Sequence, residues 1–199
     1  YAGTFGGPIL RDRMHFFAYD EYEREPKEET WRTPYQRFNV SLQGTSRKKI
    51  GGARFDLQVS PQTRLMLRMN VAKTSTPFGA GNTEHPAGTS RGWENADQLA
   101  LQLTNVLSNR TLNELMVGHA GFLFGEENLT HWSNHWMAAG SPFGPITTGS
   151  PRISFTNFTI GGNAGAPRYR VQNLYQMRDT LTTSYDARGR HDVKIGGEL

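Results

Sequence analysis

The sequence predicts an all-β protein: an antiparallel up-and-down meander of about eight strands, forming a partial transmembrane β-barrel with short turns at one end and long loops at the other. Three observations carry this expectation. Apolar and polar residues alternate along several long segments. Four short turn motifs divide those segments into pairs. The connections between pairs are far longer than the turns within them.

Taken in order, the first hairpin joins "YAGTFGGPIL" to "MHFFAYDEYER" through "RDR" at 11–13. The second joins "KKIGGARFDLQV" to "RLMLRMNVAK" through "SPQT" at 60–63, and its alternation is the clearest. Phe55, Leu57, Val59, Leu65, Leu67 and Met69 interleave with Arg54, Asp56, Gln58, Arg64, Arg68 and Asn70. Period-2 alternation sends these two sets to opposite faces. In the third, "NADQLALQLTNVL" and "TLNELMVGHAGFLFG" flank "SNR" at 108–110, and Leu99, Leu101 and Leu103 oppose Gln98, Gln102 and Thr104. The fourth joins "NLYQMRDTLTTSYD" to "HDVKIGGEL" through "ARGR" at 187–190, with His191, Val193 and Ile195 opposing Asp192, Lys194 and Glu198.

Between hairpins lie about 20 residues around "EPKEETWRTPYQRF", a shorter stretch around "TPFGAGNTEHPAGTSRGWE", and about 40 residues over 130–171. Connections therefore alternate short and long, which gathers every tight turn at one end. A soluble sandwich has no reason to sort its loops this way, whereas outer-membrane barrels have short periplasmic turns and long extracellular loops. Trp31, Trp93, Trp132 and Trp136 all fall in or beside the long connections, as members of an interfacial girdle or of a ligand surface. The alternating segments also reach the ~9 to 11 residues that a tilted strand needs to cross a bilayer, and extra length would carry the sheet beyond the membrane on the loop side.

Composition agrees. The hydrophobic share is 36%, with 22 Gly and 11% aromatics, and the mean hydropathy is -0.62. That mixture suits sheets with polar loops better than a helical core. No run approaches the ~18 apolar residues of a membrane helix, a limit that does not apply to strands. The formal charge is +4, but Lys and Arg are scattered, so nucleic acid is not an expected partner. Without Cys there are no disulfides or thiolate sites. The polar faces are too charged for a dry core, since an unpaired buried charge costs several kcal/mol. Phe55, Leu57, Val59, Leu65, Leu67 and Met69 are therefore expected to face lipid, and Arg54, Asp56, Arg64 and Arg68 a wet lumen. The chain opens at Tyr1 and stops in "KIGGEL", and is read as an internal piece of something larger: one partial barrel domain over 1–199.

"GTFGGPILRDRMHFFAYDEYER", "FDLQVSPQTRLMLRMN", "SPRISFTNFTIGG" and the closing "NLYQMRDTLTTSYDARGRHDVKIGGEL" together resemble the barrel of TonB-dependent outer-membrane receptors, nearest the Oar-like branch that carries a carboxypeptidase-regulatory-like domain before its plug. The resemblance implies a barrel of about 22 strands, plugged by an N-terminal domain. It implies energy-coupled uptake or binding of an extracellular ligand in the Gram-negative outer membrane. Outer-membrane lipid would be one partner and the TonB complex, reached through an N-terminal part absent from this chain, another. Siderophore, cobalamin, glycan and peptide remain open as ligands.

Among candidate sites, "THWSNHW" places His131 and His135 four apart between Trp132 and Trp136. On a helix that spacing suits a metal, but no Glu or Cys completes a set nearby, and aromatic loop packing or ligand contact fits better. Arg152 and Arg168 join these four as ligand-contact candidates in the long loops. "GGNAGAP" and "FGAGNTEHPAG" lack the strand-to-helix context of a phosphate cradle, and no cofactor is expected. The close carboxylates of "EREPKEE" and "EEN" read as solvated loop charge. N-x-S/T sequons at Asn39, Asn109, Asn128 and Asn157 read as chance occurrences in an Asn- and Thr-rich sheet protein. No "GxSxG" nucleophile elbow is present, and nothing argues for an enzyme.

Two further readings compete with the receptor. One is a complete eight-stranded membrane barrel with a structural or adhesive role, its interior filled by side chains. The other is a soluble β-sandwich binding module with its apolar faces packed together.

Overall fold

The structure is a computed structural model that describes residues 1–78, 85–128, 152–163 and 165–199. The alternating segments form β1 (Ala2–Leu10), β2 (Met14–Thr30), β3 (Ser41–Ser60), β4 (Thr63–Thr76), β5 (Ser90–Ser108) and β6 (Thr111–Asn128). A small hairpin, β7 (Arg152–Phe155) and β8 (Phe158–Gly161), precedes β9 (Arg168–Asp186) and β10 (Arg190–Glu198). Eight strands make one antiparallel sheet in the order β1-β2-β3-β4-β5-β6-β9-β10, and β7-β8 stands as a separate ribbon. The sheet does not close, since β1 and β10 do not pair with each other.

The eight-strand expectation holds, with two corrections. β2 and β3 run well past the hairpin expected from the sequence, up to the pair Thr30↔Ser41, so the first long connection shrinks to 31–40. Its charged string "EPKEET" reads as loop by composition but completes ladder hydrogen bonds against β3, which outweigh its low strand propensity. The second correction is the β7-β8 ribbon, in a string whose turn, Thr156-Asn157, is flanked by β-branched and aromatic residues.

All the short turns (11–13, 61–62, 109–110, 187–189) lie at one end and the long connections (31–40, 77–89, 129–167) at the other. The turns are also staggered. One row of the register runs Met14, Leu57, Leu65, Leu103, Leu115, Asp179. Below that row β2 has already turned, whereas β3 continues to Ser60, β5 to Ser108 and β9 to Asp186. Seven residues of stagger at ~3.4 Å each, over five strand spacings of ~4.8 Å, is a slant near ~45°. That is the strand tilt a membrane barrel wall requires.

Register assigns the faces. Phe16, Phe55, Leu67, Leu101, Val117 and Met177 align in one row, with Ala18, Ala53, Met69, Leu99 and His119 in the next, all on one face. Arg54, Asp56, Gln58, Arg64 and Arg68 share the other. Val59 keeps the apolar parity up to the irregularity at Ser60↔Thr63. Neither face is pure. Asp20, Asp97 and Asp179 fall on the apolar side, and Phe17, Met66 and Phe122 on the polar side.

Charged groups on the polar face satisfy one another. Asp56 accepts from Arg54 at 2.7 Å and from Arg64 at 2.6 Å. Tyr19, Asn70 and Gln98 are joined by hydrogen bonds of 3.1 and 2.9 Å. Tyr19 on β2 reaches Asn70 on β4 only because β3 has Gly52 between them; a Cβ there would stand 2.6 Å from the Tyr19 ring.

Among the described residues the buried hydrophobic side chains are Trp31 and Phe158, both at the long-loop end. Phe5, Val59, Val71, Leu99, Leu101, Val117 and Met177 are exposed. No described residue packs on this apolar face, which lacks the covering second sheet of a sandwich.

Candidate functional site

The long-loop end is where the described residues converge. A cavity of about 450 Å³ opens on the polar face there, between Glu23 and Glu25 of β2, Lys48 of β3, Glu94 of β5, and Phe124 and Glu126 of β6. Strands four places apart share this lining, so the sheet curves with its polar face inward. Lys48 lies 3.4 Å from Glu23, and Lys27 pairs with Glu25 at 2.6 Å. Glu94 is exposed and has no ion pair among the described residues, which leaves the cavity with an acidic balance.

Three connections roof this end. Trp31, fully buried, closes the first by donating its backbone N–H to Val40 and packs edge-on against Phe78 at 6.0 Å. Phe78 and Pro77 can lie on β3 because position 44 is glycine; a Cβ there would meet Pro77 at 2.6 Å. The loops are then pinned by rings: Phe158 stacks on Phe38 at 5.8 Å and meets Tyr35 edge-on at 5.0 Å, while His85 sits 4.6 Å from Phe38. Arg37 lies over the Phe38 ring at 4.8 Å. Each loop thus contributes an aromatic group to one cluster, which suits apolar contact at low entropy cost.

A polar cluster fixes the segment after β8 to the wall. The fully buried Ser90 hydroxyl donates to Glu126 at 2.6 Å, and Arg168 donates to the other Glu126 oxygen at 2.9 Å. The Asn163 amide nitrogen donates to the Asn128 side chain at 2.8 Å, and the Asn163 side chain reaches Ser90 and Glu126. Arg168 also covers the Phe124 ring at 4.9 Å.

Of the predicted ligand-contact residues, Arg168 therefore stands in a wall-to-loop tie beside the cavity. Arg152 stands on the exposed β7, opposite Gly161. His131, Trp132, His135 and Trp136 lie outside the described residues. Sequence reasoning missed Glu23, Glu94 and Glu126, because "EREPKEE", "EEN" and the "SRGWE" that ends the second long connection read as loop by composition. Period-2 counting carried through those strings would have put alternate carboxylates on the polar face. No group of His, Cys, Asp and Glu suited to a metal occurs among the described residues, and no helix among them is long and apolar enough to cross a membrane.

On the apolar face, the long-loop end bears an aromatic rim. Trp93 packs edge-on against Tyr169 at 6.0 Å, and Tyr1 meets Tyr22 at 5.4 Å. At the long-loop end of β9, Tyr169 donates to Glu127, and that hydrogen bond holds the phenol above its ordinary pKa.

Neither the curated proteins nor the solved structures include a match to this chain. Over residues 23–199 the sequence does match the family model described as an outer membrane beta barrel domain. A tilted antiparallel meander, with one apolar face, one charged face and loops sorted by length, is the wall such a domain needs, and the chain belongs to this outer-membrane family.

Proposed function

We propose that the chain is a wall segment of a TonB-dependent receptor, which binds an extracellular ligand and imports it by energy-coupled transport. In this reading the short turns face the periplasm. Phe55, Leu57, Val59, Leu65, Leu67 and Met69 meet lipid, and Arg54, Asp56, Arg64 and Arg68 line the lumen. The observation that carries the proposal is an eight-stranded wall that stays open while its concave face is densely charged. An eight-stranded barrel has an interior just wide enough for side chains to fill, and long ionised side chains there would lack water. A wider, plugged barrel hydrates them. The acidic cavity under the aromatic roof favours a ligand rich in hydrogen-bond donors or positive charge, such as a glycan or a basic peptide, over an anionic chelate.

The small closed barrel is the competing reading, favoured by the match to a general barrel domain over 23–199. Determining the structure of the full-length protein from outer membranes separates the two. About 22 strands around a plug support the receptor, and eight strands closed through a β1-β10 pairing overturn it. Uptake of labelled oligosaccharides or peptides, with and without an intact TonB complex, then tests the coupling.

A further inference from the structure

We propose that the apolar face carries, at its long-loop boundary, a binding site for the phosphate groups of an anionic lipid headgroup, formed by Arg24, Arg47, Lys49 and Lys73. The inference rests on this face meeting lipid and is independent of what the barrel transports.

Register brings the four together. Arg24 is directly opposite Arg47, and Lys49 directly opposite Lys73. Arg47 and Lys49 are two apart on β3, on the same face. Four cations therefore occupy adjoining positions on three neighbouring strands, all exposed. Like charges directly opposite across a ladder destabilise a sheet, and among the described residues none of the four is in an ion pair. Lys49 instead points over the Tyr22 ring at 5.6 Å. The carboxylates nearest the patch on this face are Asp20 and Asp97, both one register row nearer the short turns, and Glu28, two rows beyond Arg24. Asp97 pairs with His119 at 3.4 Å, and none of the three is in an ion pair with the four cations. The patch is thus an unneutralised concentration of positive charge.

Its height identifies the counter-ion. Lys73 lies ten residues beyond Thr63, Arg24 ten beyond Met14, and Lys49 eleven from Ser60. At ~3.4 Å per residue and a slant of ~45°, each stands ~25 Å above its short turn, which is the height of a barrel's apolar band. Below Lys49 and Lys73 the same face bears Ala53, Phe55, Leu67 and Met69. Arg47, one row further out, reaches into the headgroup layer. Tyr22 at the same level supplies the amphipathic ring that an interface favours. Acyl chains can lie along the apolar rows while phosphates meet the four cations, an arrangement a free anion cannot exploit. Arg presents paired N–H donors to phosphate oxygens and Lys a point charge.

The test uses the full-length protein in nanodiscs of uncharged phosphatidylcholine, with binding read by native mass spectrometry. The probes are diphosphoryl lipid A, its phosphate-free form and inorganic phosphate. Wild type should retain the diphosphoryl form at least ~10-fold more strongly than the phosphate-free form, since each basic group near a charged surface contributes measurably. Combining Arg24→Gln, Arg47→Gln, Lys49→Gln and Lys73→Gln should abolish that preference, while Arg11→Gln with Arg13→Gln at the opposite end should keep it. Heat-dependent gel mobility reports whether each variant is folded. If the quadruple variant fails to fold, Lys49→Gln with Lys73→Gln alone should reduce the preference. Equal retention of both lipid forms by wild type, or an undiminished preference in the folded variants, overturns the proposal. Displacement by millimolar inorganic phosphate overturns the lipid assignment in favour of a free-anion site.

Discussion

Replacing Leu67 by Arg while leaving its neighbour for comparison tests the face assignment directly. Leu67 lies four residues beyond Thr63 on β4, between Phe55 and Leu101 in register. At ~3.4 Å per residue and ~45° it stands ~10 Å above the short turn, near the middle of a ~25 Å apolar band. A guanidinium at that depth should cost about 2 to 4 kcal/mol. Arg68, one residue on, points to the polar face opposite Arg54 and Ala100, and it is exposed. Arg68→Leu should change stability by less than ~0.5 kcal/mol, as surface substitutions do. Urea titration of the full-length barrel in lipid vesicles, with the folded fraction read from the mobility of unheated samples on detergent gels, measures both. Comparable losses for the two variants, or a larger loss for Arg68→Leu, would refute the register or the side that meets lipid.

Other outcomes follow from the long-loop end. Glu126→Ala leaves the fully buried Ser90 hydroxyl without its acceptor. It should weaken attachment of the segment after β8 by about 1 to 3 kcal/mol, seen as faster hydrogen exchange at the Asn163 amide. Phe158→Ala removes the ring that meets Tyr35, Phe38 and His85. Truncating a buried Phe costs about 3 to 5 kcal/mol, so protease cleavage within 31–40 should accelerate while strand signals in circular dichroism stay unchanged. Glu127→Gln should bring the raised Tyr169 pKa back toward the ordinary tyrosine value, because the carboxylate that accepts its proton loses its charge. Difference absorbance of the phenolate during an alkaline titration reads the change, and an unmoved midpoint would contradict the hydrogen bond.

Alternation between Arg54 and Asn70 was enough to define a hairpin, its turn and its two faces, because a period of two is a property of each strand alone. Spacing of the turn motifs was enough to order the sheet, since consecutive hairpins in a meander pair with their neighbours. The reach of β2 and β3 into "EPKEET" and "SLQGTS" was not legible, because their ladder depends on a partner strand rather than on local composition. Nor was the roof: Trp31 and Phe38, His85, and Phe158 belong to three different connections, and only curvature of the sheet brings those connections together. Arg168 shows the same limit. As a lone loop cation it invited a ligand, whereas the fold places it against Glu126 and Phe124. Sequence by itself determined the eight strands of the main sheet, their order and which side chains share a face, all consequences of periodicity along the chain. Tertiary structure alone decided the slant of the wall, the acidic cavity and the clustering of Arg24, Arg47, Lys49 and Lys73, because each depends on registers between strands that no single segment encodes.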